Sequence, residues 1–127
     1  MKVSFVRARY PSVWEPTNLM YVSAFIKNKY KGNLEVQILD GFFDSDEQIL
    51  NKISGSDYVG FSGTTPQVPH IKKLSKLVKK EYPSMKTIAG GYGPSLQPFS
   101  FLNDSTIDYL IVGEGEQSML DILNGVT

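Results

Sequence analysis

Three short stretches of this 127-residue chain hold the residue types that a binding site needs. They are SGTTPQVP (Ser62–Pro69), GGYGPSLQP (Gly90–Pro98) and GEGEQS (Gly113–Ser118). Glycine lets a ligand reach the backbone, and serine and threonine supply short donors and acceptors. That is the chemistry of holding rather than of proton or group transfer. Residues for the latter are sparse. There is one histidine, His70, and no cysteine. Thiol nucleophiles, disulfides, cysteine-ligated zinc and iron–sulfur clusters are therefore excluded. A single histidine is more often structural than a base or a metal ligand. Glu114 and Glu116 flank Gly115 at an expected helix start, where carboxylates suit the helix dipole. Asp40 needs no role beyond turn formation. Trp14 lies on a loop, where it could cover a flat ligand or plug the edge of the core.

These stretches follow strands. Five apolar runs recur: KVSFV (Lys2–Val6), LEVQIL (Leu34–Leu39), YVGFS (Tyr58–Ser62), KTIAG (Lys86–Gly90) and DYLIV (Asp108–Val112). Each is rich in β-branched or aromatic residues and is bounded by Gly, Pro, Asp or Ser. Helical patterns separate them. Thr17 is placed to cap a helix through about Lys31, with Leu19, Val22 and Ile26 on one face and Gly32 beyond its end. Ser45 and Gln48 read as a capping box ahead of Ile49, Leu50 and Ile53. From Val68 to Pro83 the apolar face is Ile71, Leu74, Leu77, Val78 and Tyr82; Lys72, Lys73, Lys76, Lys79 and Lys80 form a solvated face. A short helix is expected over Pro98–Leu102 and a last one over about Glu116–Leu123.

Strand and helix alternating five times specify an α/β domain with a parallel sheet. Right-handed crossovers put helices on both faces. The expectation is a flavodoxin-like three-layer sandwich with a five-stranded parallel sheet in the order 2-1-3-4-5, residues 1–127 forming one domain. The length suits one core without staples. Lys plus Arg equals Asp plus Glu, 13 each, so the basic excess of a nucleic-acid binder is missing. The opening MKVSFVRARY is too short and too charged for a signal segment or a membrane span, which leads to an expected cytoplasmic location without membrane attachment.

In a doubly wound sheet, ligands bind beyond the carboxyl ends of the strands. The loops there decide the ligand class. Gly-x-x-x-x-Gly-Lys-Ser/Thr is absent, so a phosphate cradle is excluded. GGYGPS follows the fourth strand and lacks dinucleotide spacing. A phospho-receiver needs an aspartate after the third strand and a lysine after the fifth, where Ser62 and Gly113 stand. The loop after the first strand, RARYPSVWEPTN, is too poor in Ser, Thr and Gly for a flavin phosphate loop.

The run VGFSGTTPQVPHIKKLSKLVKKEYPSMKTIAGGYGPSLQP, followed by IDYLIVGEGEQSMLDIL, resembles the cobalamin-binding domain that precedes the catalytic barrel in many radical-SAM enzymes. EPTNLMYVSAFIKNKY resembles the family's Pro-rich lead into its first helix. The resemblance spans nearly the whole chain and rests on the order and spacing of the Ser62–Thr65 loop, the Gly90–Gly91 pair and GEGE. It implies that the corrin ring lies over the carboxyl ends of the strands and that its nucleotide tail enters a slot beside the sheet. It further implies that Ser62, Gly63, Thr64 and Thr65 touch the tail or corrin edge. Gly90, Gly91, Tyr92 and Gly93 would border the tail's path, and Gly113, Glu114 and Gly115 would meet corrin amides.

The chain departs from the wider superfamily in two ways. The first-strand loop has no histidine, so the cofactor would be a cobalamin without a histidine ligand from that loop, and no residue is assigned to metal. There is also no Cys-x-x-x-Cys-x-x-Cys. The resemblance therefore implies a module that holds and orients a corrinoid for a radical-SAM or methyltransferase partner, or for a missing catalytic domain, without catalysis of its own. Two rivals stay open: a cofactor-free interaction or regulatory domain on the same fold, and a flavin or nucleotide binder.

Overall fold

Branched and aromatic residues drive five runs of the chain into strands. They are β1 (Lys2–Arg7), β2 (Glu35–Asp40), β3 (Tyr58–Ser62), β4 (Lys86–Gly90) and β5 (Tyr109–Leu110). All pair in parallel, in the order β2-β1-β3-β4-β5. The computed structural model describes residues 1–10, 17–96, 98–101 and 103–125, without the side chains of Thr17, Tyr92 and Phe99. Trp14, the prolines before the first helix, the Thr17 cap and Leu102 fall outside what is described.

Helices α1 (Thr17–Lys29) and α5 (Glu116–Leu123) cover one face, and α2 (Asp46–Lys52) and α3 (Val68–Glu81) the other. Period-two alternation divides each strand between two cores. Val3, Phe5 and Ile88 pack with Leu19, Ile26, Met119 and Leu123. Val6, Val59, Phe61 and Ala89 pack with Ile49, Ile53, Ile71, Leu74 and Val78. Each fully buried aliphatic side chain contributes about 1.5–3 kcal/mol through apolar transfer. The architecture is the flavodoxin-like sandwich expected, and its strand order is the one expected.

The local signals are also realised. Ser45 and Gln48 form the capping box at α2. The helix at α3 ends at Glu81, just before the Tyr82–Pro83 pair that cannot continue it. Three elements differ from the sequence reading. β5 shrinks to two residues. The Asp108 side chain accepts from the Thr87 amide, and the chain turns away at Gly113, where φ is +87°. A short helix, α4 (Tyr92–Leu96), precedes the expected one, which is a 3-10 turn over Pro98–Phe101. Pro94 in its first turn was a usable signal for α4. The lysine face of α3 is only partly solvated. Lys79 pairs with Asp108 at 2.6 Å, Lys73 with Asp46 at 3.1 Å, and Lys72 lies over the Phe101 ring.

Candidate functional site

Strand register builds a hollow on the α1/α5 side of the sheet. One transverse row reads Phe5, Gly60, Ile88, and the next reads Arg7, Ser62, Gly90. Toward the carboxyl edge, these rows contain two glycines and a serine where bulk would otherwise fill the space. The result is a cavity of about 950 Å³ between the sheet and the two helices. Phe5, Leu19, Val22, Ile88, Ile111 and Met119 line its depth. Its mouth is backbone and short polar groups from the loops after β3, β4 and β5.

The structure brings most of the expected site residues to this mouth. Ser62, Gly63, Thr64, Gly90, Gly91, Gly113, Glu114 and Gly115 all line it. The Ser62 hydroxyl accepts from Asn18 Nδ2 at 2.8 Å. Gly91 has φ +94°, a conformation that favours glycine, and it lies against Ser62 and Gly63. Gly113 is held by its N–H, which donates to Ser95 Oγ at 3.0 Å. Gly115 is the N-cap of α5, so the positive end of that helix faces the mouth beside Glu114 and Glu116. Thr65 and Gly93 do not line the cavity. Thr65 begins the 3-10 turn Thr65–Gln67. Gly93 packs under the Thr64 carbonyl, where any Cβ would collide, and its N–H donates to Gly63 O at 2.8 Å. Tyr92 opens α4 by its backbone.

Lining residues that sequence reasoning did not single out include the polar Arg7, Asn18, Gln67 and Ser95. Arg7 is buried and makes a two-pronged ion pair with Asp40, Nε to Oδ1 and Nη2 to Oδ2, both at 3.1 Å. Position alone could have found Arg7, since it ends a central strand at the ligand edge. Gln67 had a local signal: Thr64 and Gln67 have the same capping-box spacing as Ser45 and Gln48.

His70 has neither nitrogen to spare. Its Nδ1 accepts from the Arg9 amide at 2.7 Å, and its Nε2 faces Asp46 Oδ1 at 2.7 Å. Because an amide can only donate, the ring proton sits on Nε2. Arg9 and Lys73 complete the cluster around Asp46. Burial pushes the Asp46 carboxyl up. Hydrogen bonds from His70 and Lys73, electrostatic attraction from His70 and the Arg9 hydrogen bond outweigh burial and bring it down from 3.8 to about 2. A depressed carboxylate stabilises the fold above its unfolded value, and that contribution is lost as pH falls through the folded one. Asp46→Asn is therefore expected to lower the melting temperature at neutral pH. The gap to wild type should close as pH drops from about 4 toward 2, as thermal melts across pH would show. A gap that persists undiminished at pH 2 would refute the assignment. Among the described residues, no group of three or more His, Cys, Asp or Glu could hold a metal ion.

Comparison with known proteins adds family information to this geometry. The family model described as the B12 binding domain matches residues 3–123. The chain is 28% identical over 138 residues to an anaerobic magnesium-protoporphyrin IX monomethyl ester cyclase of Rubrivivax gelatinosus, covering 99% of this chain and 24% of that protein. It is 32% identical over 143 residues to a cytidylyl-2-hydroxyethylphosphonate methyltransferase of Streptomyces wedmorensis, covering 91% of this chain and 26% of that one. The chain thus spans about a quarter of the length of these relatives. Among solved structures, a cobalamin-binding protein from Desulfitobacterium hafniense superposes with TM-score 0.70 at 13% identity, over 98% of this chain and 57% of that one. A signal receiver domain from Pseudomonas fluorescens superposes with TM-score 0.69 at 16% identity, over 98% and 92%. Both structural matches speak for the fold alone. Among the described residues, no helix is long and apolar enough to cross a membrane.

Proposed function

The chain belongs to the B12-binding domain family, and from that premise we propose that its cavity holds a cobalamin for chemistry carried out with a partner. The observation that carries this reading is the pairing of an apolar hollow of about 950 Å³ with a mouth of glycine backbone and short hydroxyls. A large ligand with many amide arms needs that combination of volume and bare hydrogen-bonding groups. The residues present fit it. Glycine stands at positions 60 and 91, where a side chain would intrude on the hollow or its mouth. Ser62, Gly63, Thr64, Gly90, Gly91, Gly113, Glu114 and Gly115 would hold the cofactor. Thr65, Tyr92 and Gly93 would support the same loops from behind.

When bound, the cofactor supplies methyl-group transfer or radical reactivity, which the protein orients rather than performs. This chain's residues bind and shape. The Asn18 amide orients the Ser62 hydroxyl, Asp40 holds the Arg7 guanidinium in place at the ligand edge, and Leu19, Val22 and Met119 keep water from the depth. A methyltransferase or a radical-SAM enzyme is the partner class, by analogy with the relatives this chain matches. No side chain of the described residues is assigned to cobalt.

Mixing the purified protein with hydroxocobalamin or methylcobalamin, then desalting, is expected to leave a coloured protein. At a hundredfold excess over the dissociation constant, binding should add about 2.7 kcal/mol of stability, a visible rise in melting temperature. A colourless protein with an unshifted melt in both cases would overturn the proposal. Stabilisation by flavin mononucleotide instead would favour a flavin site.

A further inference from the structure

The peptide unit between Ala8 and Arg9 is gripped at both poles. Its carbonyl accepts from Gln67 Nε2 at 2.5 Å, and its N–H donates to His70 Nδ1 at 2.7 Å. Gln67 and His70 are three residues apart across the start of α3, so they present side chains on one side of it. The preceding amide, of Ala8, donates to Ser62 O at 2.9 Å. The direction in which the chain leaves β1 is thereby set by the β3–α3 connection.

Gln67 also faces the other way. Its Oε1 accepts from the Thr64 N–H at 2.7 Å and from Thr64 Oγ1 at 2.8 Å. Only 4% of Gln67 is exposed. Its side chain lies over Gly63, where an added Cβ would come within 2.6 Å of Gln67 Cβ. One buried amide thus ties the loop after β1 to the loop after β3. A carboxamide suits the place because one end must donate while the other accepts twice. Tyr10, directly beyond the gripped peptide, lines the cavity together with Thr64 and Gln67 itself.

We infer that Gln67 and His70 are positioning residues that lock these two loops into one unit at the cavity mouth. The functional part rests on the cobalamin reading above; the coupling does not. His70 acts here through both nitrogens, as acceptor for the loop and donor to Asp46, and does not line the cavity.

Amide exchange on the ligand-free protein, followed residue by residue by NMR, tests the coupling. In Gln67→Met, exchange at Thr64 and at Arg9 should speed up together, by about tenfold or more. Affinity for hydroxocobalamin should fall by about tenfold with the circular dichroism unchanged. Gln67→Glu keeps the acceptor for Thr64 and loses the donor to Ala8. Arg9 exchange should then rise while Thr64 stays protected. His70→Phe should free Arg9 alone. A purely structural glutamine would lower the melting temperature without this paired and separable pattern. Wild-type exchange at Arg9 in folded Gln67→Met, or wild-type affinity in that variant, would overturn the inference. Should Gln67→Met fail to fold, unchanged Arg9 exchange in Gln67→Glu would overturn it. Should the wild-type protein bind no cobalamin, the cobalamin reading falls and the exchange arms still decide the coupling.

Discussion

Replacing Gly91 with leucine is expected to abolish retention of cobalamin after desalting. Gly91 joins β4 to α4 with φ +94°, and a side chain there costs about 1–2 kcal/mol in backbone strain. The neighbours make it worse. An added Cβ would sit 2.7 Å from Ser62 Oγ, 3.1 Å from Gly63 O and 3.2 Å from Gly63 N. Two of those atoms are backbone and cannot swing aside, so the loop after β3 must shift. The rest of the leucine would project into the mouth between the two loops. Melting temperature should fall by about 6–15 °C, as a cost of a few kcal/mol implies for a chain of this size. Gly55 supplies the control. It has φ +83° and nothing within 4 Å of an added Cβ, and it precedes β3 at the far end of the sheet. Gly55→Leu should carry a comparable backbone penalty and retain cobalamin like wild type. If folded Gly91→Leu keeps its colour as Gly55→Leu does, the glycine serves the turn alone.

That pair of outcomes restates a question the sequence raises and cannot answer. GGYG after an apolar run is compatible with a tight turn and with a ligand rim. In the structure Gly91 has the positive φ of a turn and also lines the cavity, while Gly93 is reserved for close packing against Thr64. The sheet was legible because its strands read as apolar runs bounded by breakers, and five such strands suit the flavodoxin-like order. The capping box at Ser45 was legible because it is local. What escaped depends on contacts across long separations. Gln67 matters through Ala8, 59 positions away, and Arg9 through His70, 61 away. His70 could be called structural from its isolation, but its two bonds could not be foreseen. β5 was overestimated because Asp108 looked like strand sequence, whereas its carboxylate serves Lys79 and Thr87. Fold and function also separate here. A receiver domain superposes nearly as well as a cobalamin-binding protein, so the loops, not the sheet, carry the functional reading.

Gly60→Val addresses the depth of the cavity rather than its mouth, and a fall in cobalamin affinity of about 100-fold, some 2.7 kcal/mol, is expected. Gly60 lies in the middle of β3, facing α1 and α5 between Phe5 and Ile88. A Cβ there would lie 2.9 Å from Phe5 Cδ1 and 3.1 Å from Cε1. These atoms end a side chain that can rotate, unlike the backbone facing Gly91. The ring should give way into the open space it already borders, and the two added methyls would fill more of it. Strand propensity favours valine in a central strand, and the newly buried surface offsets the strain. Apparent stability of the ligand-free protein should therefore change little, in contrast to Gly91→Leu. Gly60→Ala should fall between valine and wild type in affinity, since its single methyl displaces the ring less. Absorbance titration with hydroxocobalamin, alongside thermal melts of the ligand-free variants, reads both quantities. A folded Gly60→Val with wild-type affinity would mean that the cofactor rests on the loops without entering the hollow. The mouth residues would then bind alone, and the glycine in β3 would exist to accommodate Phe5.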